Sequence, residues 1–223
     1  MYVAGDAERR AELGALLDRV HDVGSRVFEL APGVLERVAD TVTPQPVLSV
    51  LRTPAHDLGE LEGATFVVVC ADVRDPGNTG AVIRAADAAG ADAVVCCRGT
   101  ADPYNPKTVR ASAGSVLHLP VVPAGEPTGV LEELGRSGLR RLGAVAHGGV
   151  PHTEADLRGR IALVLGNEAA GLPDALSASI DDRITVSMAG RAESLNVSLA
   201  AAVLCFEVRR QRSPNLRAVE THP

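Results

Sequence analysis

The chain has 223 residues, enough for one large domain or one domain with a smaller companion. Hydrophobic residues make up 46% and aromatics only 2%, so the core must be built from Ala, Val and Leu. The net charge of −6 argues against a protein that coats nucleic acid through bulk charge, and no apolar run reaches the roughly 18–20 residues of a membrane helix.

Met1 to Arg10 is charged early and lacks the apolar core of a secretory signal. Residues 7–23 carry Leu13, Leu16, Leu17 and Val20 at helical spacing. A short strand is expected at Val27–Leu30, a helix at Pro32–Ala39 and a strand at Val47–Leu51. Together they make a small α/β module, residues 1–56. Asp57 to Gly63 is a polar, glycine-bearing break and the expected boundary.

Beyond it, strands and helices alternate. Strand Thr65–Cys70 leads to helix Thr79–Ala89, then strand Ala93–Cys97 and a helical turn at Lys107–Ala111. Strands Leu117–Val122 and Leu142–Ala146 flank a helix at Val130–Leu134. Ile161–Leu165 and Arg183–Val186 are the last strands, and Leu195–Gln211 is a long closing helix. This order predicts an α/β domain, a parallel sheet with helices on both faces, over residues 60–212. The polar stretch 213–223 reads as a flexible tail. Cys70, Cys96, Cys97 and Cys205 form no CxxC pair and fall mostly in apolar runs, which predicts buried reduced thiols, no metal and a cytoplasmic location.

Open parallel sheets bind ligands beyond the carboxyl ends of their strands, and small polar residues gather there. Asp72–Gly80 (DVRDPGNTG), His147–Gly149, Gly166–Pro173 (GNEAAGLP) and Ser187–Asn196 (SMAGRAESLN) each follow a strand. No GxGxxG, ribose-binding acid or P-loop accompanies them, which counts against a nicotinamide-dependent oxidoreductase. Taken singly, Arg84 is a solvated face residue or a charge held over a site. Glu168, Ser194 and Asn196 could each be a helix cap. Of the 22 basic residues only Lys107 is a lysine. Arginine suits bidentate phosphate contacts, though GC-rich coding gives the same bias.

Three segments in order carry more. Asn78-x-Gly80-x-x-Ile83-Arg84, then Leu165-Gly166-Asn167-Glu168-x-x-Gly171-Leu172, then Met188-x-Gly190-x-x-x-Ser194-Leu195-Asn196-Val197-Ser198 resemble the signature motifs of the SpoU (TrmH) family. These are RNA 2′-O-ribose methyltransferases of the SPOUT class. Asn105-Pro106-Lys107-x-x-Arg110-Ala111-Ser112-x-Gly114 resembles the family's linking segment. The resemblance spans residues 60–212 and implies a C-terminal trefoil knot, S-adenosyl-L-methionine as cofactor and a homodimer acting on rRNA or tRNA. It also implies that Ala146, Gly166, Asn167, Val186, Met188 and Leu195 hold the cofactor. Arg84, Asn78, Glu168, Ser194 and Asn196 would serve catalysis, and Arg84 and Arg110 would meet RNA. For Arg110 a grip on the cofactor's carboxylate or a structural ion pair stays open. For Arg84 the family's proposed role is general base, but a guanidinium is effectively never neutral, so a phosphate clamp is the competing role. His147 has no catalytic part in the family. The first 55 residues resemble the small RNA-binding module of the thiostrepton-resistance-like branch, reading short at its N-terminus. A non-catalytic RNA-binding relative is the remaining alternative, disfavoured because all five catalytic candidates are present.

Overall fold

Phe66–Cys70 and Ile161–Leu165 are completely buried runs of five residues, and they lie side by side at the centre of a parallel sheet. The computed structural model describes residues 1–5, 13–39 and 43–213, and divides the chain into two units after Thr53. Part of the helix expected over residues 7–23, and the tail beyond Ser213, lie outside the described residues.

The first unit contains β1 (Tyr2–Ala4), α1 (Gly14–Asp22), β2 (Phe28–Leu30), α2 (Val34–Val38) and β3 (Val47–Leu48). Its sheet runs β2-β1-β3, with β1 parallel to β2 and antiparallel to β3. Tyr2 stacks on Phe28 with ring centroids 5.5 Å apart.

The second unit begins with a 3-10 turn at Leu58–Leu61, capped reciprocally by Asp57 and Glu60, with Leu61 buried. The polar stretch expected as a boundary is thus folded into this unit. Then come β4 (Phe66–Cys70), α3 (Pro76–Ala89), β5 (Ala93–Cys96), α4 (Pro106–Ala111), β6 (Val121–Pro123), α5 (Pro127–Arg136), β7 (Arg140–Ala144), β8 (Val150–Pro151), β9 (Ile161–Leu165), β10 (Asp182–Thr185) and α6 (Val197–Arg212). The sheet order is β6-β5-β4-β9-β7-β10-β8, and every pairing is parallel.

The period-2 geometry of a strand divides its side chains between two cores. Phe66, Val68 and Cys70 face Val82, Ile83 and Ala86 of α3 and Leu204, Cys205 and Val208 of α6. Val67 and Val69 face the other way, toward Val130, Leu131 and Leu134 of α5. The sheet is therefore covered on both faces, and its strands can be apolar throughout. All four cysteines are buried and free. Burial pushes the Cys97 and Cys205 thiols up to about 12. Among the described residues no helix is long and apolar enough to cross a membrane.

Several boundaries differ from expectation for one reason. Helices α3, α4 and α5 start one to three residues earlier than expected, each with Pro in its first turn. There the missing N–H costs nothing and the fixed φ suits a helix. The strand expected at Leu117–Val122 is largely absent. Ser115–Leu117 is a 3-10 turn, Leu117 is 53% exposed, and pairing begins only at Val121. Pro120 has no N–H to give a ladder.

Candidate active site

The carboxyl ends of β4, β9, β7 and β10 lie consecutively across the sheet, so the segments following them meet. A cleft opens there. Its walls include Ala146, Gly166, Asn167, Val186, Met188 and Leu195, all six expected cofactor residues, with Glu168 and Ser194. Its floor is apolar: Ala144, Leu165, Ile184, Val197 and Leu204.

The segment after β4 turns sharply into α3. Asp75 is the N-cap, accepting from Asn78 N–H at 2.9 Å, and Pro76 follows at the first helical position. The Asn78 N–H holds the Asp75 carboxyl below the usual carboxylate range, with further help from Lys107, whose Nζ lies 3.3 Å away. At the other end Gly90 closes the helix at φ +80, a left-handed turn suited to glycine.

Glu168 reaches across from the β9 loop. It accepts from the backbone N–H of Asp75 at 3.0 Å and of Arg74 at 3.3 Å, and from Asn78 Nδ2 at 3.1 Å. It therefore caps α3, not a helix of its own. Burial alone would raise the Glu168 carboxyl. The N–H groups of Asp75, Asn78, Glu168 itself and Arg74 outweigh that, and its net position is below the usual value.

Asn196 completes the chain. Its Oδ1 caps α6 by accepting from Ser198 N–H at 2.8 Å, while its Nδ2 donates to Asn78 Oδ1 at 3.0 Å. Capping and cross-linking are both true of this residue. Asn196, Asn78 and Glu168 come from the three separate motifs and form one continuous hydrogen-bonded line.

The β9 loop is closed by two backbone bonds of 2.9 Å between Asn167 and Gly171. Asn167 Oδ1 accepts from the N–H groups of Ala169 and Ala170. At Gly166 a Cβ would lie 2.3–2.5 Å from the backbone of Gly171 and Leu172. Glycine is required there by the loop's own backbone.

Arg84 and Arg110 stand apart from the cleft walls. Arg84 lies on α3 and Arg110 on α4, both exposed. The two helices touch closely, since a Cβ at Gly80 would meet Thr108 O at 2.4 Å and Ala111 Cβ at 2.6 Å. His147 is exposed and is likewise absent from the walls. Sequence reasoning missed Asp75, although Asp-Pro followed by a small residue is a recognisable helix start. It also missed Asp72, whose φ of +74 leaves no mark in the sequence.

Residues 65–206 match the model of the SpoU rRNA Methylase family. The chain is 40% identical over 188 residues to a 23S rRNA guanosine 2′-O-methyltransferase, RlmP, of Bacillus subtilis, covering 84% of this chain and 74% of that protein. It is similar to the solved SpoU methyltransferase AviRb from Streptomyces viridochromogenes in complex with AdoMet, with TM-score 0.78 and 32% identity over 95% of this chain and 82% of that one. An AdoMet-bound rRNA methyltransferase from Sinorhizobium meliloti superposes with TM-score 0.79 at 30% identity, over 94% of this chain and 79% of that one. The chain belongs to the SpoU rRNA methylase family.

Proposed function

We propose that the protein methylates a ribose 2′-hydroxyl in structured RNA, using S-adenosyl-L-methionine bound in the cleft beyond β7, β9 and β10. The observation that carries this reading is the Asn196–Asn78–Glu168 line, which joins all three motifs at the rim of that cleft. The cleft suits the cofactor chemically. Its apolar floor accepts a flat base, and three converging strand ends offer backbone groups for a base and ribose edge.

When bound, the cofactor supplies an electrophilic methyl group on a sulfonium. The chain's own residues then have three tasks: orient the ribose, stabilise charge on its oxygen and keep water out. Asn78, Ser194 and Asn196 supply the orienting polar groups. Glu168 fixes the Asp72–Asn78 turn. With its oxygens committed and its carboxyl held low, it is a poor proton acceptor. Arg84 clamps the neighbouring phosphate and stabilises charge developing on the 2′-oxygen, while a phosphate oxygen or water takes the proton. Arg110 belongs to the RNA-binding set, and Met1–Thr53 is read as the RNA-binding module.

Relatives named as 23S rRNA 2′-O-methyltransferases favour ribosomal RNA as substrate over tRNA. The knot implied by the resemblance has a topological support. Helix α6 packs on α3 beside β4, although β10, which precedes it, lies beyond β9 and β7. Residues 186–196 must therefore cross back over those strands' ends. A homodimer is supported by Leu199, Val203 and Phe206, an exposed stripe on α6 distinct from its buried face. Four buried, free thiols accord with a cytoplasmic setting.

Mapping of ribose methylation in total RNA from a deletion strain tests the reading. One site should lose its methyl group and regain it with the wild-type gene, not with Arg84→Ala. A methylation map identical with and without the gene would overturn it.

A further inference from the structure

Immediately after β4 the backbone adopts a conformation that non-glycine residues avoid. Asp72 has φ +74, and such strain persists only where surrounding groups over-determine it. Its N–H donates to Thr100 Oγ1 at 3.2 Å, and Thr100 Oγ1 donates in turn to Cys70 O at 2.8 Å. Asn167 Nδ2 lies 3.1 Å from the Asp72 carbonyl and 3.3 Å from its Oδ2. Gly99, itself at φ +93, leaves room for the carboxylate, since a Cβ there would sit 2.5 Å from Asp72 Oδ1.

This fixed carboxylate carries an arginine. Arg74 donates from Nε to Asp72 Oδ1 at 2.9 Å and from Nη2 to Oδ2 at 3.0 Å, a two-pronged pair. The acid's side chain is 21% exposed and the arginine's 71%. One edge of the guanidinium is thus pinned from inside, and among the described residues its Nη1 donors have no hydrogen-bond acceptor. The Arg98–Glu126 pair differs, because both of its partners are largely exposed and nothing comparable fixes the acid. Arg74 is not among the cleft walls, and its guanidinium is open to solvent beside them.

We propose that Arg74 grips a phosphate of the RNA beside the target ribose, with Asp72 as the residue that positions it. Asn167 ties this grip to the β9 loop of the cofactor cleft. The assignment rests on the RNA-methylation reading above. A chain of net charge −6 cannot hold RNA by bulk attraction, so its cations must be placed individually. A pre-oriented guanidinium matches phosphate geometry and loses less freedom on binding than a free side chain.

The test is the salt dependence of binding to protein-free large-subunit rRNA, measured between about 50 and 200 mM salt with protein saturated in S-adenosylhomocysteine. Arg74→Ala should reduce the slope of log affinity against log salt by about one. It should raise KM for RNA about tenfold, leaving kcat and S-adenosylhomocysteine affinity near wild type. Arg74→Lys should keep the slope but recover only part of KM, because a point charge lacks the fork. Arg158→Ala, which removes an equally exposed cation paired to Asp156 just before the amino end of β9, at the opposite end of the strands from Arg74, should change neither. A wild-type slope in Arg74→Ala, or an equal drop in Arg158→Ala, overturns the assignment. Binding needs no turnover, so wild-type protein that binds rRNA but methylates no RNA from a deletion strain would refute the enzymatic reading separately.

Discussion

Asn78 and Asn196 stand 118 positions apart in the chain, yet the Nδ2 of one donates to the Oδ1 of the other at 3.0 Å. Asn78 passes the connection on through its own Nδ2 to Glu168. An amide side chain can accept at its oxygen and donate from its nitrogen, so one asparagine can link two partners. Removing either asparagine breaks the same line, so the second removal should add little. Asn78→Ala and Asn196→Ala should each lower kcat/KM, and the double variant should fall short of the summed effect by about 0.5–1.5 kcal/mol. Strictly additive losses in the double-mutant cycle would mean the two act independently.

Glu168 gives this line a pH dependence. Its folded carboxyl is held below the usual value, so its contribution is complete above the ordinary Glu pKa of about 4.3. The contribution is lost as pH falls through the lower folded value. The amide resonances of Arg74 and Asp75, which donate to it, should therefore hold steady from neutrality to about pH 5 and shift only below that. Glu168→Gln should remove the transition. A transition centred near pH 6 would contradict the assignment.

Much of this was legible before any coordinates, and particular residues show why. The buried run of β9 was bounded to the residue, because five apolar positions between Arg160 and Gly166 admit little else. The six cleft residues were legible only through the motif resemblance. Nothing in the composition of Ala146 or Val186 marks a binding wall. The strand β8 pairs over two residues only, too few to give a period. The role of Glu168 was hidden for another reason. Its partners lie 90 to 94 positions away, and a local reading assigns such a residue to the nearest helix start.

Gly166 and Gly80 predict contrasting lesions. A Cβ at Gly166 would collide with the backbone of Gly171 and Leu172, inside the β9 loop. Gly166→Ala should open that loop and abolish S-adenosylhomocysteine binding by calorimetry, with a modest loss of melting temperature. At Gly80 the collision is with Thr108 and Ala111, between α3 and α4. Gly80→Ala should cost about 1–3 kcal/mol of stability, the range for overpacking. Cofactor affinity retained in Gly166→Ala would refute the loop argument.

The exposed stripe on α6 bears on assembly. Leu199, Val203 and Phe206 recur at helical spacing and are 57%, 37% and 47% exposed. Their side chains cannot join the internal core, which takes Ala201, Leu204, Cys205 and Val208 from the same helix. Light scattering should give twice the 23.1 kDa chain mass. Leu199→Glu with Phe206→Glu should yield a folded monomer with reduced activity. A wild-type protein that scatters as a single chain at micromolar concentration would remove the dimer.

Arg84 carries the sharpest prediction. It sits on α3, the helix whose first turn is fixed by Asp75, Glu168 and Asn78, so its position is inherited from the same line of hydrogen bonds. It is exposed and lies outside the walls of the cofactor cleft. A residue so placed can act on RNA without holding the cofactor. Arg84→Ala should therefore reduce methyl transfer by about 10²–10⁴, the range for losing an acid–base or charge-stabilising group. S-adenosylhomocysteine affinity should stay close to wild type. Arg84→Lys separates the two chemical roles, since lysine keeps the charge but not the planar fork. Substantial activity in that variant supports phosphate clamping, and activity as low as the alanine variant supports a guanidinium-specific role. Methylation of deletion-strain RNA by Arg84→Ala at the wild-type rate would exclude Arg84 from the active site altogether.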